Sequence, residues 1–592
     1  MKYKYKKNTQ NFKKTGNWRI NIFALFVFLF IGLIIFRLFK LQVIDSNFYE
    51  VLASGQHEFF EKLVPHRGSI FIHNYTLDNN SKKQDLYEGL YPVAVNKKYN
   101  FVYVEPIRVE DQEKTTEALS RILEFDETEK EVLIEKLSRK DDPYEPLEHK
   151  VENNKINKIK SLGLKGVNYI EEYFRHYPDN NIGGHIIGFV GYADEDNKKG
   201  QYGIEGYFNK LLSGELGFIK TEKDVLGKML KTGYTSFSDA VDGDDIVLTL
   251  DYGIQHTICV EIKKGIVAYG ADSGTVIVMD PYTGAILGMC SYPDFNPEKY
   301  NEVDNIKIFN NPAIFHQYEP GSVFKPITAA IALDLDVIKP DTVYNDTGEV
   351  KIGPDIIKNS DFKAHGNQTM TEVLESSLNT GAIYMARKIG KDNFKSYIEK
   401  FGFGEITGIE LDSEAKGNIA SLAQKGEIYM ATASFGQGIS VTAIQMLSAY
   451  SALANGGKLP KPYILDSIIR NKQEKIDTKP KIVRQVISER ASTLVTAMMT
   501  SVIESGHAKH AGVKNYYVAG KTGTAQVAEK GGYGEKTIHS FIGFAPVDEP
   551  KFVMLVQLDN PKNVQFSASS SAPIFGTIAE FLLKYYGVKP TR

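Results

Sequence analysis

Cysteine is scarce in this chain: only Cys259 and Cys290 occur among 592 residues. They match no zinc-ligand spacing and make no disulfide framework. Two unpaired thiols in a core are expected, with a single bridge as the alternative. A surplus of positive charge is also missing. The formal net charge of -3 excludes a general nucleic-acid binder, because neutralising phosphates calls for a basic excess. There is no internal repeat and no low-complexity tract. Only one long apolar run exists, which limits the chain to a single membrane pass. What remains is a globular composition, 42% hydrophobic and 24% charged, in a chain too long for one core. Two or three domains are expected.

The one apolar run sits near the N-terminus. Lys2, Lys4, Lys6, Lys7, Lys13, Lys14 and Arg19 precede it with no acidic residue among them. Ile20 to Phe36 follows, interrupted only by Asn21 and Gly32, and then Arg37 and Lys40. A spanning helix takes about 20 residues, a length reached if Arg37 and Lys40 snorkel to the interface. The basic side stays in the cytoplasm and everything after Lys40 lies outside. A cleaved signal peptide would need a shorter apolar core and a small-x-small site, and Arg37 to Gln42 offers neither. The expectation is a cytoplasmic tail over 1–19 and an uncleaved anchor over 20–40. An exported domain large enough to bury its own core has no need of many disulfides.

Residues 41–241 read as mixed α and β. The apolar spacing in Thr115 to Lys140 predicts two amphipathic helices, and Asp141 to Asn157 reads as a solvated, charged surface. From Asp242 the texture changes. Asp245 to Leu250 predicts a strand and Gly253 to Ala268 a helix. Thr275 to Asp280 and Ala285 to Cys290 predict a hairpin turned by Pro281-Tyr282-Thr283-Gly284. A long Ala- and Leu-rich helical section follows, then strands over Tyr516 to Thr524, Phe541 to Phe544 and Phe552 to Val556, and a last helix from Pro573 to Tyr585. Strands at both ends with helices between them predict one antiparallel sheet assembled from both ends of a domain spanning 242–592.

Three short motifs fall on that frame. Ser322 and Lys325 sit three residues apart after Pro320-Gly321 and ahead of an apolar run. A helix starting there puts hydroxyl and amine on one face, and a desolvated lysine can activate an alcohol. Alone, the pattern is weak and reads first as a helix start with an exposed lysine. Ser377-Leu378-Asn379 lies between two helical stretches, as any helix connection would. Gly520-Lys521-Thr522-Gly523-Thr524 ends a strand; a phosphate loop fails because the pattern G-x-x-x-x-G-K-S/T needs a glycine at Asn515. His507-Ala508-Lys509-His510 is the nearest thing to a metal-ligand pair and reads as a loop.

Taken in order, S-x-x-K, S-x-N and K-T-G on a sheet-helix-sheet frame resemble the penicillin-binding and serine β-lactamase family. Asp280-Pro281-Tyr282-Thr283-Gly284, Ser291 to Pro297, Gly436-Gln437-Gly438 and Asn455-Gly456-Gly457 extend the resemblance to that family's transpeptidase domain. It implies that Ser322 attacks a D-alanyl-D-alanine carbonyl to form an acyl-enzyme while Lys325 takes its proton. Ser377 would relay the proton to the leaving amine. Asn379 would bind the substrate amide and help hold Lys325, and Lys521 would add positive charge. Thr522 and Thr524 would bind the terminal carboxylate, and Gly523 would let substrate lie close. The N–H groups of Ser322 and Thr524 would form the oxyanion hole, about 3 kcal/mol per donor. The resemblance implies no metal and no cofactor.

A β-lactamase would be about half as long and lack the anchor, and a bifunctional synthase would carry a glycosyltransferase domain. Residues 41–241 instead resemble the non-catalytic pedestal of class B penicillin-binding proteins, through His66 to Ile70, Arg175-His176-Tyr177-Pro178, Gly188 to Gly191 and Gly203 to Gly206. Ile72-His73 departs from the Asp-Arg pair usual there. Asn379-Thr380-Gly381 and Tyr318-Glu319-Pro320-Gly321 resemble the division and sporulation type, with an elongation type as the alternative. No appended muropeptide-sensing module is expected before Arg592. The resemblance implies stem peptides, β-lactams, a membrane-embedded glycan polymerase and division proteins as partners. A β-lactam sensor would need a larger cytoplasmic domain, and an inactive scaffold would have lost one of Ser322, Lys325, Ser377 or Lys521.

Overall fold

A computed structural model describes residues 18–40, 58–75, 86–179, 182–194, 197–222, 236–529 and 532–592. The chain forms two compact units, one from 1–65 with 215–241 and the other from 66–214 with 242–592.

In the first unit the apolar run lies in a helix, Trp18–Phe39. Its side chains are described from Leu29 onward, and the large apolar ones there are exposed. Among the described residues no helix is long and apolar enough to cross a membrane. The basic tail before Trp18 lies outside the described residues. Among its described residues the unit also holds a small antiparallel sheet with Gly217–Glu222 between Glu58–Leu63 and Ser236–Ser238.

The second unit begins with a strand, Ile70–His73, that pairs parallel with Asp245–Asp251 and antiparallel with the long strand Leu90–Val104. Glu145–Val151 and Val167–His176 also pair with that long strand. The two amphipathic helices are Gln112–Leu123, capped by Asp111, and Glu127–Ser138, opened by an Asp126–Glu129 capping box. They bury Leu119, Leu133 and Leu137 against Val102 and Val104. The segment expected as plain solvated surface instead contains the strand Glu145–Val151, whose two ends are buried. Pairing with Leu90–Val104 supplies the backbone partners that its charged composition hides.

Arg67, Arg175 and Glu205 form a buried ionic cluster. Arg67 Nε donates to Glu205 Oε2 at 2.7 Å and Arg175 Nε to Oε1 at 2.6 Å, and the carboxylate is 0% exposed. Both guanidiniums also reach backbone carbonyls: Arg67 that of Glu205 and Arg175 that of Gly68. A buried carboxylate with this many donors has its desolvation offset.

The central sheet has five antiparallel strands, β1 (Ser273–Met279), β2 (Ile286–Tyr292), β3 (Ala519–Glu529), β4 (Gly532–Ala545) and β5 (Phe552–Asp559), in the order β2-β1-β5-β4-β3. Strands from both ends of the domain share it, as the element order predicts. The strand placed at Tyr516 begins at Ala519, because the Tyr516 N–H bonds back to Val513 O and the Tyr517 N–H to Thr591 Oγ1. β1 and β5 are buried almost throughout, which explains their unbroken apolar runs: helices cover the sheet on both faces. One of these, α1 (Tyr252–Tyr269), lies against β2, and there Cys259 is bonded to Cys290 with the two Cα atoms 5.4 Å apart. The expectation of two free thiols is therefore corrected. Spacing along the chain could not reveal a helix-to-strand contact that brings the two side chains face to face.

Candidate active site

The chain reaches Ser322 through a tightly held lead-in. Tyr318 pairs its N–H and C=O with Val441, at 3.0 and 2.9 Å. Gly321 has φ +60° and donates its N–H to Gly436 O. Gly436 has φ +80°, and a Cβ on it would stand 2.3 Å from Gly321 O. The approach requires a glycine at 436, and the left-handed φ favours one at 321. A 3-10 turn, Gly321–Phe324, then runs into α2 (Lys325–Asp334), and Tyr450 fixes the turn by donating its hydroxyl to Val323 O at 2.6 Å. Ser322 is half-buried on this turn, and its hydroxyl makes no hydrogen bond among the described residues. Lys325 is 0% exposed.

Ser377 stands between two amines. Lys325 Nζ donates to Ser377 O at 2.5 Å and to Ser377 Oγ at 3.2 Å, and Lys521 Nζ donates to the same Oγ at 3.0 Å. Ser377 itself has φ +56°, an unfavourable backbone for serine. Such a conformation persists only where the surroundings enforce it, and active sites are where it gathers. Leu378 N–H on Val373 O and the following helix α3 (Asn379–Ile389) enforce it here.

Burial sets the electrostatics. Desolvation, followed by the charge of Lys521, holds Lys325 well below the usual lysine range. Lys521, 1% exposed, is held down to about 7 by burial alone. Among the described residues the two amines bond only to hydroxyl and carbonyl oxygens of Ser377 and Thr522, and no carboxylate pairs with either. A neutral Lys325 has two hydrogens and one lone pair. Its two hydrogens have acceptors on Ser377, which leaves the lone pair for a proton from Ser322, one helical turn away. Ser377 Oγ accepts twice, which leaves its own hydrogen to give.

Lys521 and Thr524 lie on β3, the edge strand beside the Ser322 turn. A Cβ at Gly523 would stand 2.9 Å from Val323 Cγ1 and 2.7 Å from Ser540 Oγ. The glycine is thus required by the packing of the Ser322 turn against β3. Thr522 Oγ1 accepts from Lys521 Nζ at 3.3 Å, and Thr524 Oγ1 donates to Ser567 Oγ at 3.1 Å. Asn379 departs from expectation: its Nδ2 donates to Lys358 O at 2.9 Å and makes no bond to Lys325. The motif's anchor is the next residue, Thr380, whose buried hydroxyl donates to Asp346 Oδ1 at 2.7 Å. His507 to His510 ends in a short 3-10 turn, Lys509–Ala511, and among the described residues no side-chain group is suited to hold a metal.

Sequence reasoning missed Glu319. Its Oε1 accepts Gly438 N–H at 2.9 Å and its Oε2 accepts Tyr533 O–H at 3.0 Å, tying the lead-in to the Gly436–Gly438 loop and to β4. It also missed Tyr450 and Ser567. The one available signal was Gly436-Gln437-Gly438, two glycines that both take left-handed φ where the chain turns beside the lead-in.

Comparison with known proteins agrees with this geometry. Residues 274–580 match the penicillin binding protein transpeptidase domain, and residues 88–248 match the penicillin-binding protein dimerisation domain. Stage V sporulation protein D of Bacillus subtilis is 37% identical over 98% of this chain and 88% of its own length. The peptidoglycan D,D-transpeptidase FtsI of Buchnera aphidicola subsp. Schizaphis graminum is 30% identical over 97% of this chain and 96% of its own. Among solved structures, penicillin binding protein 2X of Streptococcus thermophilus superposes with a TM-score of 0.76 at 22% identity, covering 89% of this chain and 80% of that one. Matched along nearly its whole length, and by both domains, the chain belongs to the penicillin-binding proteins, in the class B branch that joins a transpeptidase to a dimerisation domain.

Proposed function

We propose that this protein is a peptidoglycan D,D-transpeptidase that cross-links stem peptides through an acyl-enzyme on Ser322 and is acylated there by penicillin. The observation that carries the reading is Ser377 Oγ held by both Lys325 and Lys521 beside the Ser322 turn. Ser322 gives its proton to Lys325 as it attacks the D-alanyl-D-alanine carbonyl. The N–H groups of Ser322 and Thr524 receive the oxyanion, a first-turn helix N–H being free for this purpose. Lys325 returns the proton through Ser377 to the leaving D-alanine nitrogen. Lys521, Thr522 and Thr524 hold the terminal carboxylate, Gly523 lets the peptide lie along β3, and Asn379 borders the substrate amide.

The same reading assigns 1–19 to a cytoplasmic tail, 20–40 to a membrane anchor, 41–241 to a pedestal and 242–592 to the transpeptidase domain. The catalytic face is then extracytoplasmic, with a glycan polymerase and division proteins as neighbours. Similarity to a sporulation protein and to FtsI supports the septal branch of the family. An exchange assay tests the activity. With a stem pentapeptide ending in D-alanyl-D-alanine and a labelled D-amino acid, the full-length protein should release D-alanine and incorporate the label. Ser322→Ala should do neither; exchange by that variant would refute the assignment.

A further inference from the structure

Behind β3 a buried polar chain runs from Thr524 to residues with no place in the reaction described above. Thr524 Oγ1 donates to Ser567 Oγ, and Ser567 N–H donates back to Thr524 Oγ1, both at 3.1 Å. Ser567 is 2% exposed and opens a 3-10 turn, Ser567–Ser569, ahead of α4 (Ser571–Tyr585). The turn is held from below. Ser570 Oγ lies 3.4 Å from Phe566 O and is hydrogen-bonded to His539 Nδ1 at 2.9 Å, and His539 Nε2 is hydrogen-bonded to Thr537 Oγ1 at 3.2 Å. His539 is directly opposite Thr524 in the β3–β4 ladder. Its backbone carbonyl accepts from Ser571 Oγ at 3.0 Å. Burial holds this imidazole's pKa down to about 4, so it is neutral and keeps one donor and one acceptor.

We propose that Ser567 is a positioning residue for the substrate's terminal carboxylate, acting through Thr524 and held in place by the His539–Ser570 pair. This rests on the reading that Thr524 meets that carboxylate. A hydroxyl has one hydrogen to donate and two lone pairs. Without substrate, Thr524 directs its hydrogen to Ser567. A carboxylate arriving in the cleft takes that hydrogen, and Ser567 Oγ then turns from acceptor to donor, so that Thr524 oxygen accepts from both the N–H and the O–H of Ser567. Thr524 need not move; only hydroxyl hydrogens rotate. A residue at 567 without a hydroxyl cannot exchange roles, and Thr524 then keeps only the backbone N–H and loses one of the two bonds that aim it.

The test compares two thioesters of an N-acyl-D-alanine, one whose leaving group ends in a carboxylate and one ending in a carboxamide. Wild type should prefer the carboxylate in kcat/KM. Ser567→Ala should lower that preference about five- to tenfold while the carboxamide rate stays within about twofold, the loss expected for one neutral hydrogen bond. Ser567→Cys, of nearly the same volume, should show the same loss if the alanine variant folds poorly, and Ser567→Thr should restore the preference. An unchanged preference, or an equal fall with both thioesters, overturns the inference. So does a wild type that reacts with both at equal rates. A wild type that turns over neither thioester contradicts the transpeptidase reading itself, which separates the two failures.

Discussion

At Ser377 a single hydroxyl oxygen takes hydrogen bonds from two buried amines, and the reaction depends on those amines being uncharged or singly charged. Lys325 is held low by its own burial and by Lys521. Replacing Lys325 with arginine keeps the hydrogen-bond donors but fixes the charge. Lys325→Arg should therefore fold, yet acylate with penicillin about a thousandfold more slowly, the scale of a lost general base; a rate near wild type would contradict the role. The pH profile carries a second prediction. Protonation of Lys325 removes the base, so acylation falls on the acid side. Below about pH 7 the charge on Lys521 opposes that protonation. Lys521→Met removes the opposition, so the acid limb of the profile should move to higher pH. A limb that stays in place would mean that burial alone sets the lysine.

At the level of elements, the nucleophile turn depends on two glycines from distant parts of the chain. Gly436→Ala would put a Cβ 2.3 Å from Gly321 O at φ +80°. The cost should be about 2 to 3 kcal/mol in chemical denaturation, since left-handed strain and a backbone clash add, with loss of penicillin binding before loss of fold. These contacts mark where the sequence was legible. Ser322, Lys325, Ser377 and Lys521 were readable because local spacing and chain order identify them, and the strands were readable because buried runs are continuously apolar. Glu319, Tyr450 and Ser567 were not. Each acts through a partner more than 40 residues away, and no periodicity encodes such a contact. The Cys259–Cys290 bond and the placement of Asn379 on Lys358 O, 31 and 21 residues apart, escaped because no local periodicity encodes a contact between separate elements either.

Across the whole molecule, the region before Asp242 contributes more than a spacer. Its strand Ile70–His73 pairs directly with Asp245–Asp251, and Arg67, just before that strand in sequence, joins the cluster with Glu205 and Arg175. Glu205→Ala leaves two guanidiniums buried without their carboxylate. It should destabilise the protein by about 3 to 5 kcal/mol, read as a lower denaturation midpoint. A loss under about 1 kcal/mol, the level of an exposed pair, would mean that the cluster is solvated. The most direct test of the central claim uses the full-length chain, benzylpenicillin and mass spectrometry. One penicilloyl group should add per chain, peptide mapping should place it on Ser322, and Ser322→Ala should gain none. An adduct on any other residue, or one that survives in Ser322→Ala, would contradict the account.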